Sequence, residues 1–382
     1  DALDRLTAVA QPWGGAGGGI ATTSYAYDVQ DHLVEVIDGN GTVTSYEYSD
    51  RDLMTCQTSE VSGAATYTYN EHGESIGETD GRGVSTVRTV DAADRVTLVD
   101  LPGTTLDTSY DYGSTPALFD VGRLTAIIRN TSSVAYGYNP FGELLTDGDL
   151  TYTRDKHGNP LPINYPGALQ AIYTYDKMDR PIRLRSKEGA AAEIDVVLIN
   201  PVPTYKAYGP PATLRLNLTN DRDVTRTYDF RYQPTGITVS NTSNLIFSMS
   251  FTTDKVGNIL QQDRTLPAPT ENRTFTYQDL QYFLASASGP WGTKFWRFDF
   301  SGNRVSADGD YNYLPNAAAT GVTSELEWIA HGIGQASQYT FDDGGYLDEF
   351  FFDDIGSNGD RTIDLTNDSA GQLSGLFAHQ DT

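Results

Sequence analysis

The side chains able to do chemistry are numerous but scattered. Five histidines stand at His32, His72, His157, His331 and His379, and 51 Asp and Glu residues surround them. Histidine beside a carboxylate and a serine would suit nucleophilic hydrolysis, yet no Gly-x-Ser-x-Gly elbow presents a nucleophile. A pair of carboxylates at suitable separation would serve a glycosidase. Here the acids recur at turn-forming places, which already gives them a structural reason, and three of the histidines fall inside the same turns. The reading is a non-enzymatic chain with no catalytic or cofactor-binding residue and no cofactor.

One stretch has a metal-binding flavour. Asp353-Asp354-Ile355-Gly356-Ser357-Asn358-Gly359-Asp360 places Asp354, Asn358 and Asp360 around glycines, loosely like a calcium loop. It lacks the acid at the third position and the closing bidentate Glu of an EF-hand, so a hairpin turn is the plainer reading. Asp147-Gly148-Asp149 and Asp308-Gly309-Asp310 read as turns as well. Cys56 is alone, which excludes an internal disulfide or a cysteine zinc cluster, and it reads as a small half-buried strand residue.

The elements that position these residues follow from a repeat. Tyr25-Ala26-Tyr27-Asp28, Tyr46-Glu47-Tyr48 and Tyr67-Thr68-Tyr69-Asn70 place their second tyrosines at a spacing of about 21 residues, the kind of period that marks a repeat array. Arg88-Thr89-Val90-Asp91 keeps the phase, and the same interval links Thr153-Arg154-Asp155 to Tyr173-Thr174-Tyr175-Asp176. Three residues after each Asp or Asn comes Gly73, Gly142, Gly158, Gly257, Gly302, Gly345 or Gly371, or else Asp4, Asp31, Asp94 or Asp179. Gly adopts positive φ freely and Asp tolerates it, while the leading Asp or Asn closes an Asx-turn. Each unit therefore reads as strand, tight turn, strand.

Rings two residues apart share one strand face, so the Tyr-x-Tyr pairs, including Tyr136 with Tyr138, build an aromatic face. That face is either packing surface or a place for ligand rings to stack. A single hairpin cannot bury it, so neighbours must pair edge to edge into one antiparallel sheet. Three segments are expected: a repeat array over residues 1–185, a region at 186–226 interrupted by Pro201, Pro203, Pro210 and Pro211, and a second array over 227–382. The middle region is a diverged repeat with longer loops or a linker. Both ends lie within a repeat, as if the chain were cut from a longer array.

Net charge is −25, which argues against binding nucleic acid, and no apolar run approaches the roughly 20 residues of a membrane helix. Asn130, Asn241 and Asn272 carry the Asn-x-Ser/Thr pattern of glycan acceptors in secreted eukaryotic proteins.

Tyr25 to Leu33, Tyr136-Gly137-Tyr138-Asn139-Pro140-Phe141-Gly142-Glu143-Leu144 and Tyr173 to Arg180 resemble the Tyr-x-Tyr-Asp-x-x-Gly-x-Leu unit of the tyrosine-aspartate, or Rhs, repeat family, and recognisable copies cover nearly the whole chain. The resemblance implies an all-β strip that spirals into a hollow shell or barrel. In bacterial Rhs proteins and toxin-complex C components such a shell encloses a C-terminal toxin, and in teneurins a similar barrel takes part in adhesion. The resemblance also implies a closing self-cleavage site around an Asp-Pro stretch, and this chain has no Asp-Pro dipeptide. The expected function is thus a structural wall segment enclosing a C-terminal cargo, secreted or at the cell surface, whose partners are further repeats of its own polypeptide and that cargo. The alternative is an adhesion element whose repeat surface binds cell-surface proteins or glycans.

Overall fold

The computed structural model describes residues 1–13, 19–103, 105–198, 205–207, 209–216, 222–241, 244–265, 269–278, 282–306, 310–319, 321–332, 335–354, 361–369 and 371–380. Their regular structure is almost wholly antiparallel strand, with two short 3-10 turns at Pro116–Leu118 and Pro166–Ala168. The described residues contain no helix long and apolar enough to cross a membrane.

The chain divides into two compact units. The first comprises Asp1–Ser109, Tyr277–Ser286 and Lys294–Thr382; the second comprises Tyr110–Thr276 and Ala287–Thr293. In the first unit, strands from Ala8–Pro12 to Val96–Asp100 pair each with the next in sequence, and a second such run extends from Arg297–Phe298 to Leu373–Gln380. In the second unit the same sequential pairing links Leu124–Arg129 through to Ile259–Thr265 and on to Glu271–Tyr277. Strands Ile194–Leu198 and Thr213–Leu216, from the proline-interrupted region, are members of that ladder.

The tyrosine motif has a fixed local geometry. The ladder shifts register just before the second motif residue at Ala26/Tyr27, Glu47/Tyr48, Thr68/Tyr69, Gly137/Tyr138, Thr174/Tyr175 and Thr227/Tyr228. Such a bulge bends and twists the strand. It coincides with a hydroxyl bond to the preceding repeat: Tyr48 donates to the Leu33 carbonyl at 3.0 Å, Tyr69 to Met54 at 2.6 Å, Tyr138 to Leu124 at 2.6 Å and Tyr175 to Pro160 at 2.9 Å. Tyr27 reaches Leu6 in the same way at 3.0 Å. The ring therefore packs on the sheet face while its hydroxyl ties two hairpins together.

Burial is shallow. Among the described residues no side chain is fully buried, and the apolar ones that come near it are Trp13, Val224, Ala287 and Ile329. In strand Gly63–Tyr69 half-buried and exposed residues alternate without exception. A thin sheet of this kind depends on its ladder and its cross-strand neighbours more than on a thick core.

Within the first unit the two runs meet along their turns. Ser301 donates to Asp38 at 2.7 Å, Asn40 to Asp299 at 2.7 Å and Asn316 to the Asn40 carbonyl at 3.2 Å, across as many as 276 residues of chain. Arg82 donates to the Asp368 carbonyl at 3.2 Å and lies 4.3 Å over the Tyr346 ring. Trp13 packs edge-on against Phe283 and Phe300, at 6.1 and 5.6 Å. A side chain at Gly81 would collide with the carbonyls of Ser62 and Asp343.

Two outcomes follow from these contacts. Tyr69→Phe keeps the packed ring and loses the bond to Met54, so urea denaturation is expected to show a loss of about 1 kcal/mol. Gly81→Ala forces the two runs apart, and hydrogen exchange is expected to accelerate in both the 80–84 and the 342–346 turns; acceleration in the first alone would refute the coupling.

Candidate functional site

The feature that recurs most often is the turn, and it is built from one side chain. Asp28 accepts the amides of Gln30 and His32 on Oδ1, both at 2.9 Å, while its own amide donates to the His32 carbonyl at 3.0 Å. Asn70 does the same for His72 and Glu74, Asn139 for Phe141 and Glu143, and Asp176 for Met178 and Arg180. The third residue onward then sits at positive φ: Asp31, Asp94 and Asp179 at 72°, 58° and 58°, and Gly73, Gly142, Gly257, Gly302, Gly345 and Gly371 between 73° and 101°. Ser49 substitutes its hydroxyl in the turn that follows Tyr46 and Tyr48, with longer bonds of 3.3 Å to Arg51 and Leu53.

The opposite ends of the strands carry the same turn in places the tyrosine motif does not mark. Asp38 accepts from Asn40 and Thr42, and Asp80 from Arg82 and Val84. Their signature, Asp-Gly-x-Gly at 38–41 and 80–83, was available in the sequence. These are the turns that meet the second run.

Successive turns are also linked through histidines and arginines. His32 bridges Asp28 at 2.8 Å and Asp52 at 3.0 Å, and it stacks on Tyr48 with centroids 4.5 Å apart. His72 bonds Asp94 at 2.8 Å, and His157 bonds Asp179 at 2.7 Å. Arg5 joins Asp1 to Asp31, and Arg51 donates to the carbonyls of Asn70 and Glu71. The Arg95 side chain and the amides of Arg95 and Ala93 hold the Asp91 carboxyl down at about 2. Around Asp28, partial desolvation works upward, but the bonds from His32 and Gln30 outweigh it and keep the carboxyl below its ordinary range.

In the second unit two adjoining grooves open between turns. One of about 660 Å³ is lined by residues including Phe141, Leu145, Tyr152 and Arg154. The other, of about 480 Å³, is lined by Tyr173, Tyr175, Asp176 and Arg185 among others, and both share Asp155 and His157. Tyr136 lies on strand Ser132–Tyr138 opposite Asp147. In the first unit, Tyr25 pairs with Val36, Tyr46 with Gln57 and Tyr67 with Glu78 across the ladder. Of the calcium-loop residues, Asn358 and Asp360 lie outside the described residues, and Asp354 is placed only as the end of strand Leu347–Asp354. His331 and His379 lie on strands Val322–Gly332 and Leu373–Gln380, away from the three turn histidines in sequence.

His32 gives the turns a pH dependence whose sign is fixed. The bond to Asp28 raises its pKa most, desolvation opposes, and Asp52 adds to the rise. A raised folded pKa contributes stability fully below the unfolded value of about 6.5, and that contribution disappears as pH climbs through the folded value. Thermal unfolding between pH 6 and pH 9 is expected to show this loss, and His32→Asn to flatten it; an unchanged pH slope in the variant would remove His32 from the account.

Residues 27–65 match the family model of the RHS repeat. Compared by sequence with curated proteins, the chain matches none. Among solved structures, the whole chain is similar to TcdB2-TccC3 without its hypervariable C-terminal region, at a TM-score of 0.70 and 15% identity, covering 24% of that chain. TcdB2-TccC3 itself gives 0.69 at 14% identity, with all of this chain and 25% of the other covered. The Photorhabdus luminescens Tc holotoxin pore with a mutated TccC3 gives 0.57 at 14% identity, again over 100% of this chain and 24% of that one. At such identities the likeness establishes the fold, and this chain spans about a quarter of the chains it matches. Residues 27–65 thus match an RHS repeat, and the bulged tyrosine strands and the same turn recur outside that segment, from Asp1 to Asp368.

Proposed function

We propose that the chain is a segment of the wall of a hollow β-shell, a structural and non-enzymatic element that encloses a polypeptide cargo such as a C-terminal toxin in a secreted or surface-borne protein. The observation that carries this reading is the turn-to-turn seam in the first unit, where hairpins some 259 to 286 residues apart fit against each other. A sheet whose turn edges accept another run of the same repeats can continue coil upon coil, and closure removes the free edges that invite aggregation.

Exposed apolar residues at turn apices support the same reading. Val29, Phe141 and Phe230 are 95%, 88% and 85% exposed, whereas Phe300, equivalent in its own turn to Val29 and Phe230, lies against Trp13 and Gly39. In this reading the uncovered apices meet further repeats of the parent polypeptide, and the stretch 186–226 is a long-looped repeat within the same wall. TcdB2-TccC3, which this chain resembles in fold, is described as having a hypervariable C-terminal region, in keeping with a constant wall and a changeable cargo.

A second reading rests on the two grooves of the second unit. Tyr152, Tyr173 and Tyr175 beside Asp155, Asp176 and Arg154 offer ring faces with hydrogen-bonding groups, a combination suited to sugars, and this favours a surface element that binds glycans.

Cryo-electron microscopy of the intact parent polypeptide separates the two. The wall reading expects a closed body with density inside it. An open strip, or filaments joined through free turn edges, would overturn it and leave the glycan-binding reading to be tested by array.

A further inference from the structure

We infer that His72, Glu74 and Asp94 form a binding site for one divalent transition-metal ion of the zinc class, clamping two neighbouring repeat turns. His72 and Glu74 are the second and fourth residues after Asn70, and Asp94 is the third after Asp91 in the next repeat. One ligand atom from each lies within 4.8 Å of the others, and His72 Nδ1 is 2.8 Å from Asp94 Oδ1.

The chain contains its own comparison. His157 and Asp179 reproduce the pair at 2.7 Å, again across consecutive turns. There the fourth place holds Asn159, whose amide donates to Asp179 at 2.8 Å and to Asp155 at 3.2 Å, so that carboxylate receives an amide donor from the fourth place. In the first copy the fourth place holds a second carboxylate. Glu74 Oε2 is shut off from solvent and accepts no hydrogen bond. That is not the general fate of Glu at this place after Asn: Glu143 Oε2 accepts from the Asn139 side chain at 2.6 Å.

Two carboxylates facing one imidazole leave an uncompensated negative charge even when the histidine is protonated, and a closed-off carboxylate oxygen without a partner is costly. A dication bound by one oxygen of Glu74 supplies the missing charge and holds the carboxylate whose other demands are unmet. The donor set of one imidazole nitrogen and carboxylate oxygens suits zinc, at about 2.0 to 2.2 Å from each. A hard ion such as calcium takes oxygen ligands throughout. Ligand atoms around tetrahedral zinc lie about 3.4 Å apart by that geometry, so side-chain rotations must open the 2.8 Å His72–Asp94 pair and draw in the set that now lies within 4.8 Å. Exposure of the His72 side chain at 64% leaves water to complete the coordination. Binding through Nδ1 requires neutral imidazole with that nitrogen unprotonated, so a cationic His72 gives up one proton on binding and a neutral one carries its proton on Nε2.

Isothermal titration of the chain with zinc chloride, with metal content checked after dialysis, tests this. One ion per chain is expected. His72→Ala should abolish binding, and Glu74→Asn, which rebuilds the donor set of the second copy, should weaken it about 10-fold or more while leaving the fold intact by circular dichroism. His157→Ala should bind as the unaltered chain does. No stoichiometric zinc, or an equal loss in His72→Ala and His157→Ala, would overturn the assignment.

Discussion

A single side-chain oxygen at the head of each turn sets the conditions for everything else in this sheet. By accepting the amides two and four residues ahead, it closes the reversal, places the third residue at positive φ and thereby fixes how the return strand leaves. Register is at stake, because a slip of one residue turns every side chain to the other face. The bulge before the second tyrosine is a separate feature, absent beside the same turn at Asp38 and Asp80, and it accompanies the hydroxyl bond to the carbonyl of the preceding repeat. One oxygen therefore governs the hairpin and its register, and the bulged tyrosine adds the attachment to its neighbour.

The same arrangement explains how a chain of net charge −25 tolerates so many acids at close quarters. The leading carboxylates are held by backbone amides and, as at Asp91, Asp176 and Asp28, by an Arg or His four residues on. The third-place acids Asp31, Asp52, Asp94 and Asp179 are met by a cation or imidazole from the turn before. Each turn thus neutralises part of the next. These contacts lie at partly exposed edges, where single ion pairs contribute little and salt screens them, so their worth is in alignment more than in stability.

Much of this was legible in the sequence, because it depends on local rules. The alternation of Tyr25, Tyr27 and their successors gave the face, and the Asp or Asn followed by Gly or Asp gave the turn, since those residue types answer to steric demands that operate over four residues. The hydroxyl bonds were not legible, because whether Tyr69 reaches Met54 depends on a bulge that no residue type announces. The His72–Asp94 and His157–Asp179 pairs required knowing that the second place of one turn faces the third place of the next. The contact of Asn40 with Asp299 lay beyond any local pattern, as it depends on how far the array turns before it returns.

That return has a periodicity of its own. Gly39 lies against the Phe300 carbonyl at a distance, for an added Cβ, of 2.8 Å, while Gly63 and Gly81, from consecutive turns on the same side, both press on the Asp343 carbonyl. Sliding one run past the other by a single repeat would bring Glu60 or Pro102 to the place of Gly81, and neither tolerates a carbonyl where its Cβ must go. The ladder within each run fixes register to the residue, and these close glycine contacts fix the seam to the repeat.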